Sequence, residues 1–303
     1  MALIYAVLID VFFGEPYLIF HPVYYIGKLT DFFDKKFKHT IFFGFLTYSI
    51  IIFIFMFVLY LLSFLNDKIY IIISIYFITS SFAVSSLFTH VKKCSADNID
   101  DLRFNVSMIV SRDTSKLSKK QLYSCAVETL AENYVDSILS PIFYYLLFGI
   151  YGIVFYRITN TMDAMIGYRN EKYEKFGKFA ARMDDILNFI PARLSYFFFV
   201  IFSPLKVSKA FFKYGGIKIN GTKSMSCMSG LLNVRLFKEN TYDINENLDM
   251  PDKNDLDKSL KYFIFICFIT IIIGVVILWK VQNLLMLNME EMFRFHGLIS
   301  LFL

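Results

Sequence analysis

Polar chemistry in this chain is concentrated between Ser111 and Arg193, within a sequence that is otherwise largely apolar. The stretch Leu117–Phe148 reads as a helix opened by Ser118, because a serine hydroxyl can accept from the first free amides of a helix. On it Glu128, Glu132 and Asp136 stand at i, i+4 and i+8, a spacing that keeps them on one side of the cylinder. Three carboxylates so placed repel one another unless cations or Mg2+ sit between them, and near lipid they are costly without that compensation. Asn133 lies beside them. Beyond a Gly149-x-x-Gly152 turn, Arg157, Asn160 and Asp163 follow at i, i+3 and i+6, so an antiparallel return helix would set an Arg/Asn/Asp face against the acids. Asp184 and Asn188 share a later helix face, and Pro191-Ala192-Arg193 closes the block. A plainer reading stays open at this point. Solvated helices often carry Glu-x-x-x-Glu, arginines beside apolar spans anchor to lipid, and Ser111-Arg112-Asp113-Thr114 has the composition of a helix cap.

The elements that must position these groups belong to a membrane protein. Of 303 residues, 56% are hydrophobic, 19% aromatic and only 19% charged, against about 25% charged in a soluble domain. The mean hydropathy is +0.53. That composition excludes a free-standing soluble globule and a disordered chain. The net charge of +5 suits anionic lipid or phosphate-bearing substrates and is too weak to argue for nucleic acid. Cys94, Cys125, Cys227 and Cys267 form no Cys-x-x-Cys pair and His21, His39, His90 and His296 no His-x-x-x-His pair, so neither a disulfide framework nor a zinc or histidine metal centre is expected. No signal peptide is expected either.

Charge-free runs at Ile41–Leu65 and Ile69–Phe88, joined by Asn66-Asp67-Lys68, predict a transmembrane hairpin over 41–88, since about 20 apolar residues cross a bilayer as a helix. Tyr262–Trp279, flanked by Lys261 and Lys280, predicts a further span over 262–279. An N-terminal apolar segment (1–27) is interrupted by Asp10 and should end as a helix at Gly14-Glu15-Pro16. Lys28, Lys35, Lys36 and Lys38 precede the first span and Lys68 alone follows it, which places the flanks of 41–88 in the cytoplasm. The equally basic stretches 89–137 and 157–193 share one side only if Ile138–Tyr156 turns back as a re-entrant hairpin. The expected fold is therefore an all-α, polytopic bundle in a single membrane-embedded domain (1–303), with cytoplasm-facing polar helices. The polar block spans 111–193 and a cytoplasmic loop spans 206–261, acidic and solvated over 239–258.

The ordered motifs are also recognisable together. Ser111-Arg112-Asp113-Thr114, Glu128-Thr-Leu-Ala-Glu132-Asn133-x-x-Asp136, Asn160-Thr-Met-Asp163-Ala-Met-Ile-Gly167-Tyr168-Arg169, Phe176-Gly177 and Ala181-Arg182-x-Asp184-Asp185-x-x-Asn188-x-x-Pro191-Ala192-Arg193 resemble the CobD/CbiB family, the adenosylcobinamide-phosphate synthases of cobalamin biosynthesis. Asp10-x-x-x-Gly14-x-Pro16 and His21-Pro22-Val23-x-x-x-Gly27 resemble that family's N-terminal signature. The similarity covers roughly residues 3–235. It departs where the family usually shows His-Pro-Ser-Pro-Asn-x-Gly-Trp-Pro. Here the segment is Lys218-Ile219-Asn220-Gly221-Thr222-Lys223-Ser224, which keeps only Asn220, and Phe237–Tyr242 replaces a glycine-rich stretch.

The resemblance implies ATP-dependent amide formation, in which a side-chain carboxylate of the corrinoid adenosylcobyric acid is joined to aminopropanol or aminopropanol phosphate. An inert carboxylate must be activated, and that chemistry calls for ATP, Mg2+ held by carboxylates, cations on phosphate and a base for the ammonium. Carried onto this chain, it assigns Glu128, Glu132, Asp136 and Asp163 to the metal. Arg112, Asp113, Arg157, Arg169, Arg182 and Arg193, with Asn133 and Asn160, would bind substrate and phosphate. Asp184, Asp185 and Asn188 would form the catalytic group. It implies a multi-pass cell-membrane enzyme with its active face in the cytoplasm, on which other cobalamin-pathway enzymes could dock. Two rival readings are a non-catalytic accessory or signalling homologue that kept the scaffold, and a Mg-dependent membrane transferase acting on a diphosphate.

Overall fold

Helix starts follow the capping residues closely. In the computed structural model, which describes residues 2–14 and 18–299, α1 (Ala2–Phe13) is followed by α2 (Pro22–Lys36), capped by the His21 side chain and opened by Pro22. Thr40 caps α3 (Ile41–Leu62) and Asn66 caps α4 (Asp67–Thr79). Next come α5 (Val84–Lys93), α6 (Ile99–Ser107) and α7 (Lys119–Tyr134). The Ser118 hydroxyl and Gln121 side chain make a reciprocal capping box on α7, as the sequence predicts for Ser118. A π turn over Val135–Leu139 leads into α8 (Ser140–Ile166), then α9 (Lys178–Leu187), α10 (Phe189–Val200), α11 (Pro204–Tyr214) and α12 (Gly221–Leu232). The short antiparallel strands β1 (Leu236–Lys238) and β2 (Tyr242–Ile244) pair Leu236 with Ile244, and α13 (Lys253–Ile299) completes the chain. The architecture is the expected all-α polytopic bundle. Glu15 and Pro16 lie outside the described residues; α1 does stop at Phe13, and Gly14 has a φ of 73°.

Four helical stretches are long and apolar enough to cross a membrane: Ile41–Leu62, Asp67–Lys93, Lys119–Ile166 and Lys253–Val281. Two of them differ from straight rods. The predicted run Ile69–Phe88 is broken between α4 and α5, where the Asp10 carboxylate accepts from the backbone amides of Val84 (2.9 Å) and Ser85 (3.4 Å). A carboxylate on α1 thus supplies the cap that Ala83, the N-cap residue of α5, cannot. That role explains an acid inside an apolar run.

The second departure is Gly149, whose φ of 60° and ψ of −144° invert α8 into two arms. The arms lie side by side: the rings of Tyr144 and Tyr156 stack at 5.4 Å, and the Tyr156 hydroxyl donates to the Asp136 carbonyl at 3.1 Å. Tyr156 could not reach either group from the far end of one straight helix, so Ile138–Tyr156 folds back as a helical hairpin, the geometry that a re-entrant segment requires.

One expectation fails. Residues 206–261 are not a loop, although 239–258 does stay acidic and largely solvent-facing, with none of its acids buried. Nine residues of α12 are buried, Tyr242 and Ile244 of β2 are buried, and α13 already begins at Lys253. The acidic residues are spent locally: Arg235 clamps Asp243 with two bonds of 2.7 and 2.6 Å, while Asp252 and Asp255 accept from each other's amides at the start of α13.

Candidate functional site

The centre of the molecule is α7, packed against α5, α6, α12, α13 and β1. Three cavities form a crescent around its C-terminal half. The largest, about 730 Å3, is lined by Glu132 of α7, Asp136 of the π turn, Asp163 of the returning arm of α8, and Asp184 and Asp185 of α9. Lys218 and Asn220 before α12, Lys238 of β1 and Arg169 line it as well. Glu132, Lys218 and Lys238 also line a small cavity of about 140 Å3. That cavity shares Thr129 and Asn133 with a third, of about 490 Å3, which contains Arg157 and Asn160.

Backbone economy lets the acids approach. A Cβ on Gly221 would run into the Glu132 carboxylate, and one on Gly167 into that of Asp163. Asp184 is the most fully held. Its oxygens accept from Asn160 Nδ2 (3.3 Å) and Asn188 Nδ2 (3.0 Å), and Asn188 Oδ1 in turn accepts from Ser140 Oγ (2.7 Å) and the Tyr156 hydroxyl (3.0 Å). The helical hairpin therefore orients a carboxylate that sits on α9. Burial pushes the Asp184 carboxyl up to about 6, with the charges of Asp185 and Glu132 adding to the rise and the two asparagine bonds opposing it. On the facing wall, burial and the positive charges of Lys218 and Arg112 lower the pKa of Lys238. Cations crowded in this way are relieved by an anion between them.

The small cavity is different in kind. Glu128 is 2% exposed and ion-paired with Arg112; it also accepts from Ser124 Oγ (2.6 Å) and the Tyr242 hydroxyl (2.7 Å). Both charges are satisfied by protein, and the Tyr242 hydroxyl fastens the β-hairpin to α7.

A family model described as CobD/Cbib protein matches residues 3–263. The chain belongs to the CobD/CbiB family. It is 42% identical over 283 residues to the "Probable cobalamin biosynthesis protein CobD" of Pyrococcus furiosus, covering 91% of this chain and 98% of that one. Proteins with the same name from Archaeoglobus fulgidus (39% over 279 residues, 90% of this chain and 92% of that one) and Thermoplasma volcanium (33% over 292 residues, 91% and 96%) are also similar. No solved structure matches the chain.

In this CobD/CbiB-family protein, the site residues read from the sequence divide into three groups. Glu132, Asp136, Asp163, Asp184, Asp185, Asn188 and Arg169 converge on the large cavity, while Asn133, Arg157 and Asn160 line the third. The rest stand apart. Glu128 and Arg112 neutralise each other. Asp113 accepts from the Ser115 amide and hydroxyl, both at 2.9 Å, in an exposed turn. Arg182 is exposed on α9. Arg193 donates to the Phe189 carbonyl at 2.7 Å and lies over that ring. Beside Arg169, two further cations that face the acids, Lys218 and Lys238, come from the two segments where the family motifs lapse. Their signal in the sequence was the pair of isolated lysines flanking buried α12.

Among the described residues, no three Asp, Glu, His or Cys side chains are grouped closely enough to hold one ion. The four-acid metal cage of Glu128, Glu132, Asp136 and Asp163 is therefore not preformed. Mg2+ does not require one, because it keeps several waters and binds through one or two carboxylates plus substrate phosphates. The hard oxygen donors Glu132, Asp136 and Asp163, opposite lysines in one cavity, fit that mode.

Proposed function

We propose that the protein acts in cobalamin biosynthesis as an acid–amine ligase, joining the carboxylate of adenosylcobyric acid to aminopropanol or its phosphate at the expense of ATP. The observation that carries this reading is the large cavity, in which Lys218 and Lys238 face Glu132, Asp136, Asp163 and Asp184. Phosphates would lie against the two lysines and Arg169, whose positive charge compensates them. One or two of Glu132, Asp136 and Asp163, together with the substrate phosphates, would hold Mg2+, which when bound shields phosphate charge and polarises the phosphorus.

In the first step a carboxylate oxygen attacks the γ-phosphorus, the bond to the bridging oxygen of ADP breaks, and an acyl phosphate forms. In the second, the amine nitrogen attacks the acyl carbon and inorganic phosphate departs with the electrons of the C–O bond. The incoming ammonium must lose a proton before it can attack. Asp184, held by Asn160 and Asn188 with a pKa near 6, is mostly ionised at pH 7 and is the group placed to take it. Asn188, 2% exposed, positions that base.

The convergence of charged groups from seven segments favours an enzyme over an accessory homologue, since such a cavity serves no purpose in a bare scaffold. Membranes containing the protein, given adenosylcobyric acid, ATP, Mg2+ and each amine, should yield the corrinoid amide by mass spectrometry. Product formed equally well without ATP, or none with either amine, would refute the assignment. The basic flanks support a site on the cytoplasmic side. All four native cysteines are buried, so a thiol introduced as Glu171→Cys should resist an impermeant reagent in intact cells and react in opened ones. Labelling in intact cells would reverse the orientation.

A further inference from the structure

The third cavity, about 490 Å3, lies between α2, α5 and the α7–α8 pair and is separated from the acidic cavity by Asn133 and Asn160. It falls within the size range of small-molecule sites. Its chemistry inverts that of its neighbour: among the described residues no carboxylate lines it, and its one permanently charged group is Arg157. That guanidinium makes no ion pair among the described residues. Its Nη1 donates weakly to Asn160 Oδ1 at 3.4 Å, and its buried Nε has no partner. Leaving a buried guanidinium donor unmade is expensive, so the arrangement is one that an anion completes. Much of the remaining wall is apolar, with Val23, Leu87, Met108 and Met165, and this suits an amphipathic ligand rather than a free inorganic ion.

We propose that this cavity receives the carboxylate of the acid substrate, with Arg157 as its counter-charge, while nucleotide phosphates occupy the acidic cavity on the other side of Asn133 and Asn160. The inference rests on the ligase reading and adds the division of substrates between two cavities. A corrinoid exceeds 490 Å3, so its acid-bearing arm enters and the macrocycle stays at the rim. The small cavity, which shares Asn133 with one chamber and Glu132 with the other, is the passage along which the carboxylate and the γ-phosphate meet. The assignment moves Arg157 from phosphate to carboxylate recognition.

The test is equilibrium binding of adenosylcobyric acid to the full chain in nanodiscs of zwitterionic lipid, without ATP, followed by corrinoid absorbance. Arg157→Gln should weaken binding about tenfold or more, Arg157→Lys should recover part of the loss, and Mg-ATP affinity should change less than about twofold in either. The amide product, which lacks the charged oxygen, should bind wild type and Arg157→Gln alike. Wild type should itself prefer the acid to the amide, a comparison that needs no variant to fold. Equal affinity of wild type for acid and amide, or equal losses for both on substitution, would overturn the inference. Added anionic phosphatidylglycerol should not compete; competition would give the cavity to a lipid headgroup and overturn it too. A wild-type protein that binds Mg-ATP but neither corrinoid would instead refute the ligase reading itself.

Discussion

The pair α3–α4 and the pair α7–α8 are both long apolar hairpins, yet they use their length in opposite ways. In the apolar window of Ile41–Leu62 only 28% of residues are buried within the protein, against 50% in that of Lys119–Ile166. The window of Asp67–Lys93, which holds α4, lies between at 44%, so the contrast is sharpest at α3. The first faces lipid, where every backbone amide must be bonded within its own helix and charge is excluded. The second is wrapped by α2, α3, α9, α10, α12 and α13, so it tolerates a π turn, an inverted glycine and a row of carboxylates at its root. Apolar length measures how far a helix could reach. What surrounds the helix decides whether it crosses or returns.

The sharpest contrast between the two hairpins should come from the polar root of α7–α8. Asp184→Asn keeps the size of the side chain and removes the proton acceptor. Loss of a general base costs about a hundred- to ten-thousandfold in rate, and kcat for amide formation should fall by that much with membrane insertion unchanged. The pH profile of the wild type should agree: activity should fall as pH drops through about 6, where Asp184 takes up its proton. Because the folded-state pKa is raised above its ordinary value, stability contributed by this group is present at low pH and lost as pH rises through about 6. A rate that falls on acidification therefore reports the proton and not unfolding through Asp184. A flat profile between pH 5 and 8 would remove Asp184 as the base.

Next in size is the cation facing that root. Lys238→Gln leaves a neutral group where a phosphate would sit, and a lost charge-assisted bond is worth about 1.5–3 kcal/mol. The KM for ATP should rise about ten- to a hundredfold, with a smaller change for the amine. Equal effects on both substrates would mean that Lys238 supports the cavity wall rather than the nucleotide. The tip of the hairpin comes third. Nothing lies within 4 Å of a Cβ built on Gly149, so Gly149→Ala is opposed only by its backbone angles. That strain is worth about 1–3 kcal/mol, and thermal inactivation should come at lower temperature with the residual rate per folded molecule intact.

The same contrast explains what the sequence made legible. The spans, the Ser118 cap, the turn at Gly149 and the shared face of Glu132 and Asp136 follow from local patterns (apolar length, helix-capping chemistry, a glycine pair and spacing on one helix face), whereas Asp184 entered the candidate site through the family resemblance. Three features were out of reach because they depend on distant partners. Nothing near Asp10 in sequence says that its carboxylate caps α5, a helix beginning at Val84. Glu128 has the same spacing relative to Glu132 as any metal ligand would, and only the arrival of Arg112 and Tyr242 removes it from that role. Lys218 and Lys238 lie outside the recognised motifs, and they meet because α12 packs on α7 between them.

The smallest effect is expected on the crossing hairpin. Phe53 of α3 is 67% exposed in the isolated protein and, among the described residues, stacks only on Phe57 of its own helix, at 5.8 Å. In a bilayer that face meets acyl chains, which offer Leu and Phe nearly the same surroundings. Phe53→Leu should therefore shift stability by no more than about 0.5 kcal/mol and leave kcat and KM unchanged. A clear loss of stability would mean that protein, and not lipid, covers Phe53, as it does the root of α7–α8. The two hairpins would then differ only in their polar residues and not in what surrounds them.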